Sequence, residues 1–444
     1  MRTQGKIKIW ILFFLFLSIV FSLCQQSQEN LLKFTHIYDP LAGPHGKSNT
    51  DWIDERLAIF KRLYPDLHIE LEQAKWDQID TKSMADFRAG IRHDVLLTSP
   101  QFLPKHAVVQ DLLNLNPFLQ WEEDQIADFA WNPVWHKCEQ HGKRIGVPMG
   151  AHTRLCIYRK DMFADVGLNP DKPPATLQEL VAYAQKLTRD MNGDGKTDIW
   201  GLGVYFGPSR GTIELAFAPM LWHFGGKLWE EKTKQAVFAS KEGIKAAQFL
   251  NDLMNKYKVT PRWAVSGTYD DVILRGFLEG KIAIAWGWGS YWIQPLEQAG
   301  FIKGCFPPEP QGRTIKAGVF VTPTNCKAQF TNAWTISVHA LTPKPVESVQ
   351  LLETFVEPEA LFTFPDAGLP ARLSTWQRPE YQTEFYQTWF EAVKNGRSMP
   401  PTAHYEELAN SVAAALQEIL VKNAPIETML LKFQKAYNKR YAGE

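Results

Sequence analysis

The chain has 444 residues, 45% hydrophobic and 22% charged, the balance of an ordinary globular protein, which excludes a low-complexity or fibrous chain. Lys plus Arg and Asp plus Glu both number 48, so the formal net charge is zero and nothing favours a nucleic acid or an anionic surface as partner. The 16 Trp, with 13 Tyr and 27 Phe, are an unusual count; flat rings stack on the apolar faces of sugars where they are not simply core.

The chain opens with a secretory pattern. Arg2, Lys6 and Lys8 precede an apolar run from Ile9 to Leu23, and polar residues follow from Gln25. That order, with a run short for a membrane span, predicts a signal peptide over residues 1–24 and export to the periplasm or the outer face of the cell membrane. Cys24 stands where a lipidated cysteine would stand, although Leu23 replaces the small residue usual before it. The remainder is too long for one core and predicts two lobes. Cys138, Cys156, Cys305 and Cys326 match no zinc spacing. They either pair with sequence neighbours, as Cys138–Cys156 and Cys305–Cys326, or remain buried thiols.

Leu31–Tyr38 reads as a strand, residues 39–49 as a loop, and residues 51–64 as a helix with Trp52, Ile53, Leu57, Phe60 and Leu63 at helical spacing. Leu67–Leu71 alternates as a second strand and Asp94–Thr98 is a short third one. Strand, helix and strand at this spacing predict a parallel sheet. Ligands of such sheets bind beyond the carboxyl ends of the strands, which points to residues 36–45, with Tyr38, and to residues 98–101, with Thr98 and Gln101; plain connecting loops are the alternative. Strands follow at 143–148 and 154–158, then helices at 176–187, 240–256, 346–355 and 403–422; Thr176 and Glu179 are spaced as a capping box. No linker composition separates the lobes, so the chain is expected to cross between them more than once.

Residues 190–201 form a second kind of candidate. Asp190, Asn192, Asp194 and Asp198 occupy positions 1, 3, 5 and 9 of a calcium loop, with Gly195 at position 6, but Gly201 replaces the final Glu. A tight turn between helix and strand explains the same residues without metal. Gly43–Ser48 lacks the first glycine of a phosphate loop, and Gly201–Gly207 has the wrong last spacing for a dinucleotide fingerprint.

Several segments in order carry a family likeness: Gly142–Pro148 with Leu155–Phe163, Val166–Leu168, Pro173–Leu180, Phe277–Trp286 and Gly368–Arg372. Together they resemble the extracellular solute-binding proteins of family 1, typified by the maltose-binding protein. The resemblance implies an α/β, two-lobed periplasmic-binding-protein-like fold of class II, each lobe a sheet flanked by helices, with three hinge crossovers. These are expected near His152, between Thr322 and Trp334, and at residues 357–365. The lobes are then residues 30–152 plus 330–360 and residues 153–329 plus 361–444. It further implies a monomer that closes over a sugar or oligosaccharide and delivers it to the membrane permease subunits of an ABC transporter, with no catalysis and no cofactor; a structural calcium rests on the spacing of the 190–201 loop alone.

The run Trp286-Gly-Trp-Gly-Ser-Tyr-Trp292 departs from the family pattern. Three Trp and Tyr291 among small residues read as an accessible stacking platform, with core packing as the alternative, so Trp286 and Trp288 lead the ligand candidates. The resemblance also brings His152 and Arg154 towards the ligand, and Trp222 and His223 in an aromatic turn. Glu214 and Arg210 could bond hydroxyls or form a solvated face, and Arg372 could reach the cleft or cap a helix. Two other readings compete. A glycosidase needs two carboxylates facing each other across a bond, and no motif places such a pair. A non-sugar solute, a polyol phosphate or a polyamine, would keep the fold and change the ligand.

Overall fold

The computed structural model describes residues 30–41, 44–303, 313–364 and 369–443, without the side chains of 44–47, Tyr291, Arg313 and Thr314. The expected signal peptide with Cys24, and also Cys305 and Gly368, lie outside the described residues.

Two sheets organise the molecule. The first uses β1 (Leu31–His36), β2 (His68–Gln73), β3 (Val95–Thr98) and β4 (Val147–Pro148). The second uses β5 (Arg154–Arg159), β6 (Trp200–Val204), β7 (Ile282–Gly289) and β8 (Ala317–Phe320), and β9 (Thr335–Val338) returns to the first. The orders are β2-β1-β3-β9-β4 and β8-β5-β7-β6. β1 pairs in parallel with β2 from Leu31↔His68 to His36↔Gln73, and with β3 at Phe34↔Val95. β3 is apolar on both faces and wholly buried, as the centre of such a sheet requires. β9 runs antiparallel to both β3 and β4.

Helices cover the sheets because each carries one apolar stripe. Trp52, on the helix Pro44–Leu63, packs at 5.4 Å from Phe355 and donates its indole N–H to the Ala360 carbonyl at 3.1 Å. That helix begins at Pro44 rather than at Asp51. Proline suits a first turn, where its missing amide hydrogen is not needed. Thr176 caps the helix Leu177–Leu187 by accepting the Glu179 amide at 3.1 Å. One core gathers around Phe34, Phe60 and Leu97, the other around Phe163, Ile284 and Trp389, so the fold is two-lobed and α/β.

The chain passes between the lobes at residues 149–153, where Gly150 pairs with Pro370 and His152 with Asn332, and again between β8 and β9. The third passage is a weave rather than a switch at residue 360. Phe362 and Leu369 pack in the second core, whereas Phe364 and Ala371 pack in the first. The Cys138–Cys156 bridge does not form. Cys138 belongs to the first lobe and Cys156 to β5 of the second, both are free thiols, and burial pushes each pKa up to about 12. Cys326 is also free. Among the described residues no helix is long and apolar enough to cross a membrane.

Candidate functional site

The carboxyl ends of β1, β2 and β3 form one edge of the first lobe. In the second lobe the facing edge consists of the carboxyl ends of β6 and β7 and the start of β5, set side by side by the pairs Trp286↔Val204 and Gly289↔Arg154. What lies between these edges is the cleft.

On the first edge Trp76, just past β2, is 57% exposed, an unusual condition for a side chain of its size. The guanidinium of Arg210, from the loop after β6, stands 5.4 Å from the centre of its ring, so the two lobes touch here through a cation over an aromatic face. Arg210 is itself held by Glu406 at 3.0 Å and lies 3.9 Å from Glu214. Glu214 is buried and accepts the Tyr405 hydroxyl at 2.6 Å. Burial raises the pKa of Glu214, with Arg210 opposing, and burial beside Glu214 raises that of Tyr405 well above the phenol range. Glu214 is thus a buried, hydrogen-bonded acid, not a solvated one.

At the hinge, His152 Nδ1 lies 3.3 Å from Ser290 Oγ and its backbone pairs with Asn332. Arg154 places its guanidinium 5.7 Å from the Phe330 ring centre and donates to the Thr153 carbonyl at 2.9 Å. Gly150 is needed beside them, because an added Cβ would come within 2.9 Å of His152 Nε2. Trp222 is buried and lies 5.6 Å from the guanidinium of Arg397. Arg397 is exposed, backbone-paired to the crossover at Phe330, and without a carboxylate partner among the described residues. His223 Nδ1 accepts the Asn325 amide at 3.0 Å. Tyr38 stacks on His36 at 6.4 Å. Gln101 is buried with its Oε1 unpartnered among the described residues, an acceptor left unsatisfied beside the cleft edge.

Residues 46–361 match the model of the bacterial extracellular solute-binding proteins. The chain belongs to that family. A binding protein of Brucella abortus is 21% identical over 85% of this chain and 87% of its own length. The sn-glycerol-3-phosphate-binding periplasmic protein of Yersinia pestis is 26% identical over 41% of this chain and 42% of its own. A solute-binding protein of Thermotoga lettingae, solved with alpha-D-tagatose, superposes with a TM-score of 0.74 at 24% identity, covering 92% of this chain and 99% of that one.

Several expected site residues of this solute-binding protein sit elsewhere. Trp286 and Trp288 are not an accessible platform. They are 0% and 1% exposed on β7, and the Trp288 ring packs 5.1 Å from Trp389 and 6.3 Å from Phe385. β7 is flanked by β5 and β6 and covered by helices, so the small residues between the tryptophans admit neighbours rather than solvent. Thr98 uses its hydroxyl inside the sheet, 2.6 Å from Thr335 and 2.9 Å from Ser337. Arg372 faces the first core. It donates to the Val356 carbonyl at 2.7 Å and to Asp128 at 3.0 Å, with its guanidinium 4.3 Å from the Phe129 ring.

The 190–198 loop spends its acidic oxygens on its own backbone. Asp190 accepts the amides of Asn192, Gly193 and Gly195, Asn192 that of Asp194, Asp194 that of Lys196, and Asp198 that of Met191. These bonds lower the Asp190 pKa, that from Gly195 most. Among the described residues no group of three or more His, Cys, Asp or Glu side chains is disposed to hold a metal ion. Because the loop's own amides already engage these oxygens, calcium is expected to leave the thermal midpoint unchanged in a melting experiment, and a rise of several degrees would assign a metal to the loop.

Trp76, Arg397 and Tyr405 were not singled out from sequence. For Trp76 a signal existed: it follows a strand end, as Tyr38 and Gln101 do. Arg397 and Tyr405 come from a late segment whose return to the hinge no local pattern reveals.

Proposed function

We propose that this protein captures a carbohydrate between its lobes and delivers it to an ABC importer without transforming it. The observation that carries this reading is Trp76, an exposed ring on one edge of the cleft, faced from the other edge by Arg210. An aromatic face for the ring and charged or amide groups for the hydroxyls (Arg210, Gln101 and His152) are what sugar recognition needs. The Thermotoga lettingae protein bound with alpha-D-tagatose, and a Thermotoga maritima one bound with maltose, add support. In this reading the exported chain acts as a monomer, with residues 1–24 removed or Cys24 lipidated. The mass of the mature protein distinguishes those two.

A polyol phosphate is the second reading, favoured by three cations: Arg154, Arg210 and Arg397, the last without a carboxylate partner among the described residues. The name of the Yersinia pestis relative points the same way.

Titration calorimetry with mono- and oligosaccharides and with sn-glycerol 3-phosphate separates the two. Saturable heat with a neutral sugar, and none with the phosphate, is the expected result; the reverse replaces the first reading with the second. Trp76→Ala should weaken the sugar about tenfold, ~1.4 kcal/mol. Because the side chain is exposed, its melting curve should match the parent's. Unchanged affinity would remove Trp76 from the site.

A further inference from the structure

Beneath the loop that follows β3 lies a set of buried charges with no part in the contacts above. His106, on the helix Leu103–Val109, and Asp111 are fully buried, and Asp80, on the helix Ile79–Arg88, is 4% exposed. His106 Nδ1 is 2.9 Å from both Asp111 oxygens and its Nε2 is 3.0 Å from Asp80 Oδ1. With a carboxylate at each ring nitrogen, both nitrogens must carry hydrogen, which makes the imidazole a cation. The same Asp80 Oδ1 accepts the amide of Ser99 at 3.1 Å, and Asp111 accepts the Ser83 hydroxyl at 3.0 Å. Ser99 is the first residue after β3, and Gln101, with its open acceptor, is two residues on.

We propose that Asp80, His106 and Asp111 are positioning residues that fix the Ser99–Gln101 loop at the cleft, so that solute capture depends on the charge of His106. The proposal rests on the cleft being the solute site. Its physical basis is that two buried carboxylates are tolerated near each other only while a cation lies between them. Loss of the proton leaves one carboxylate facing an unprotonated nitrogen, Asp111 or Asp80 according to which ring nitrogen keeps its hydrogen. In the tautomer that keeps Nδ1–H, Asp80, shared with Ser99, loses its donor and shifts. Burial alone pulls the His106 pKa down, but the bonds to Asp111 and Asp80 more than reverse it and hold it at about 9. The other titratable groups facing the triad meet at His339, which feels His93, Asp111, Asp94 and His106. Burial first, and then His93, push its pKa down to about 4, so it stays neutral through this range. A histidine raised above its unfolded value stabilises fully below about pH 6.5 and loses that stabilisation as pH rises through about 9.

Two measurements test this. Affinity for the sugar identified by calorimetry should be flat from pH 7 to 8 and fall about threefold or more by pH 10. In Asp80→Asn, where His106 keeps one carboxylate, the midpoint of that fall should move to lower pH. Separately, in solute-free protein at pH 7, Asp80→Ala should speed hydrogen exchange at the Ser99 amide about tenfold or more. Wild-type affinity that stays flat to pH 10, or a Ser99 amide that exchanges at the parental rate, overturns the proposal. If Asp80→Ala does not fold, the exchange measurement on Asp80→Asn decides: parental exchange together with an unmoved affinity midpoint overturns it. The exchange arm needs no solute, so failure to find a sugar ligand counts against the cleft reading and leaves the loop test standing.

Discussion

Trp288→Ala is expected to lower the free energy of unfolding by about 3–5 kcal/mol, the usual loss when a buried aromatic is cut back to a methyl group. The ring is 1% exposed and wedged between Trp389 and Phe385, and its strand is an interior member of the second sheet. Gly287, beside it, has a φ of +94° and sits at the bulge between Trp286 and Trp288, where an added Cβ would lie 3.2 Å from Leu215. Urea unfolding measures the loss. Trp288→Phe makes the informative control. The indole N–H has no acceptor among the described residues, so phenylalanine removes an unsatisfied donor while keeping most of the ring volume, and the loss should be much smaller. An alanine variant of parental stability that no longer binds solute would return Trp288 to the cleft.

Arg372→Ala is expected to cost a similar amount, about 3–5 kcal/mol, for a different reason. Arg372 is 6% exposed and ties the third crossover to the first lobe through Asp128 and the Val356 carbonyl. Removing it leaves Asp128 with a charge and no cation. Among the described residues Asp128 would keep only Ser374, whose amide and hydroxyl it accepts at 2.6 and 2.7 Å. Replacing both partners, as Arg372→Met with Asp128→Leu, should recover much of the loss, because no partly buried charge is then stranded. A double-mutant cycle in chemical unfolding gives the coupling. A single variant within 0.5 kcal/mol of the parent would show that the pair is not what holds the crossover.

The sequence carried the fold further than the site. Short-range patterns were enough for β1 to β3, for the helix capped by Thr176 and for the ordered motifs of the family, because alternation, helical spacing and capping are local signals. The cleft depends on which face of a strand meets solvent after two lobes assemble, and local spacing says little about that. Trp286 and Trp288 illustrate the limit: a glycine-spaced aromatic run looks the same whether the gaps admit a sugar or Trp389. Thr98 stands at a strand end as the rule requires, but its hydroxyl is taken by Thr335, 237 residues later. Glu214 and Arg372 carried the right chemistry, and distant partners, Tyr405 and Asp128, assigned each of them a place.

The position of β9 bears on how such a molecule is made. The strand that joins β3 to β4, Thr335–Val338, is made more than 200 residues after β3, so during synthesis the first lobe emerges with an open sheet edge. Unpaired N–H and C=O groups on an edge invite pairing with other chains. Closing so long a loop is slow, and intermediates with exposed edges are prone to aggregate. For a member of an extracellular family, the same delay keeps the leading lobe unfinished while the chain still has to be threaded across a membrane.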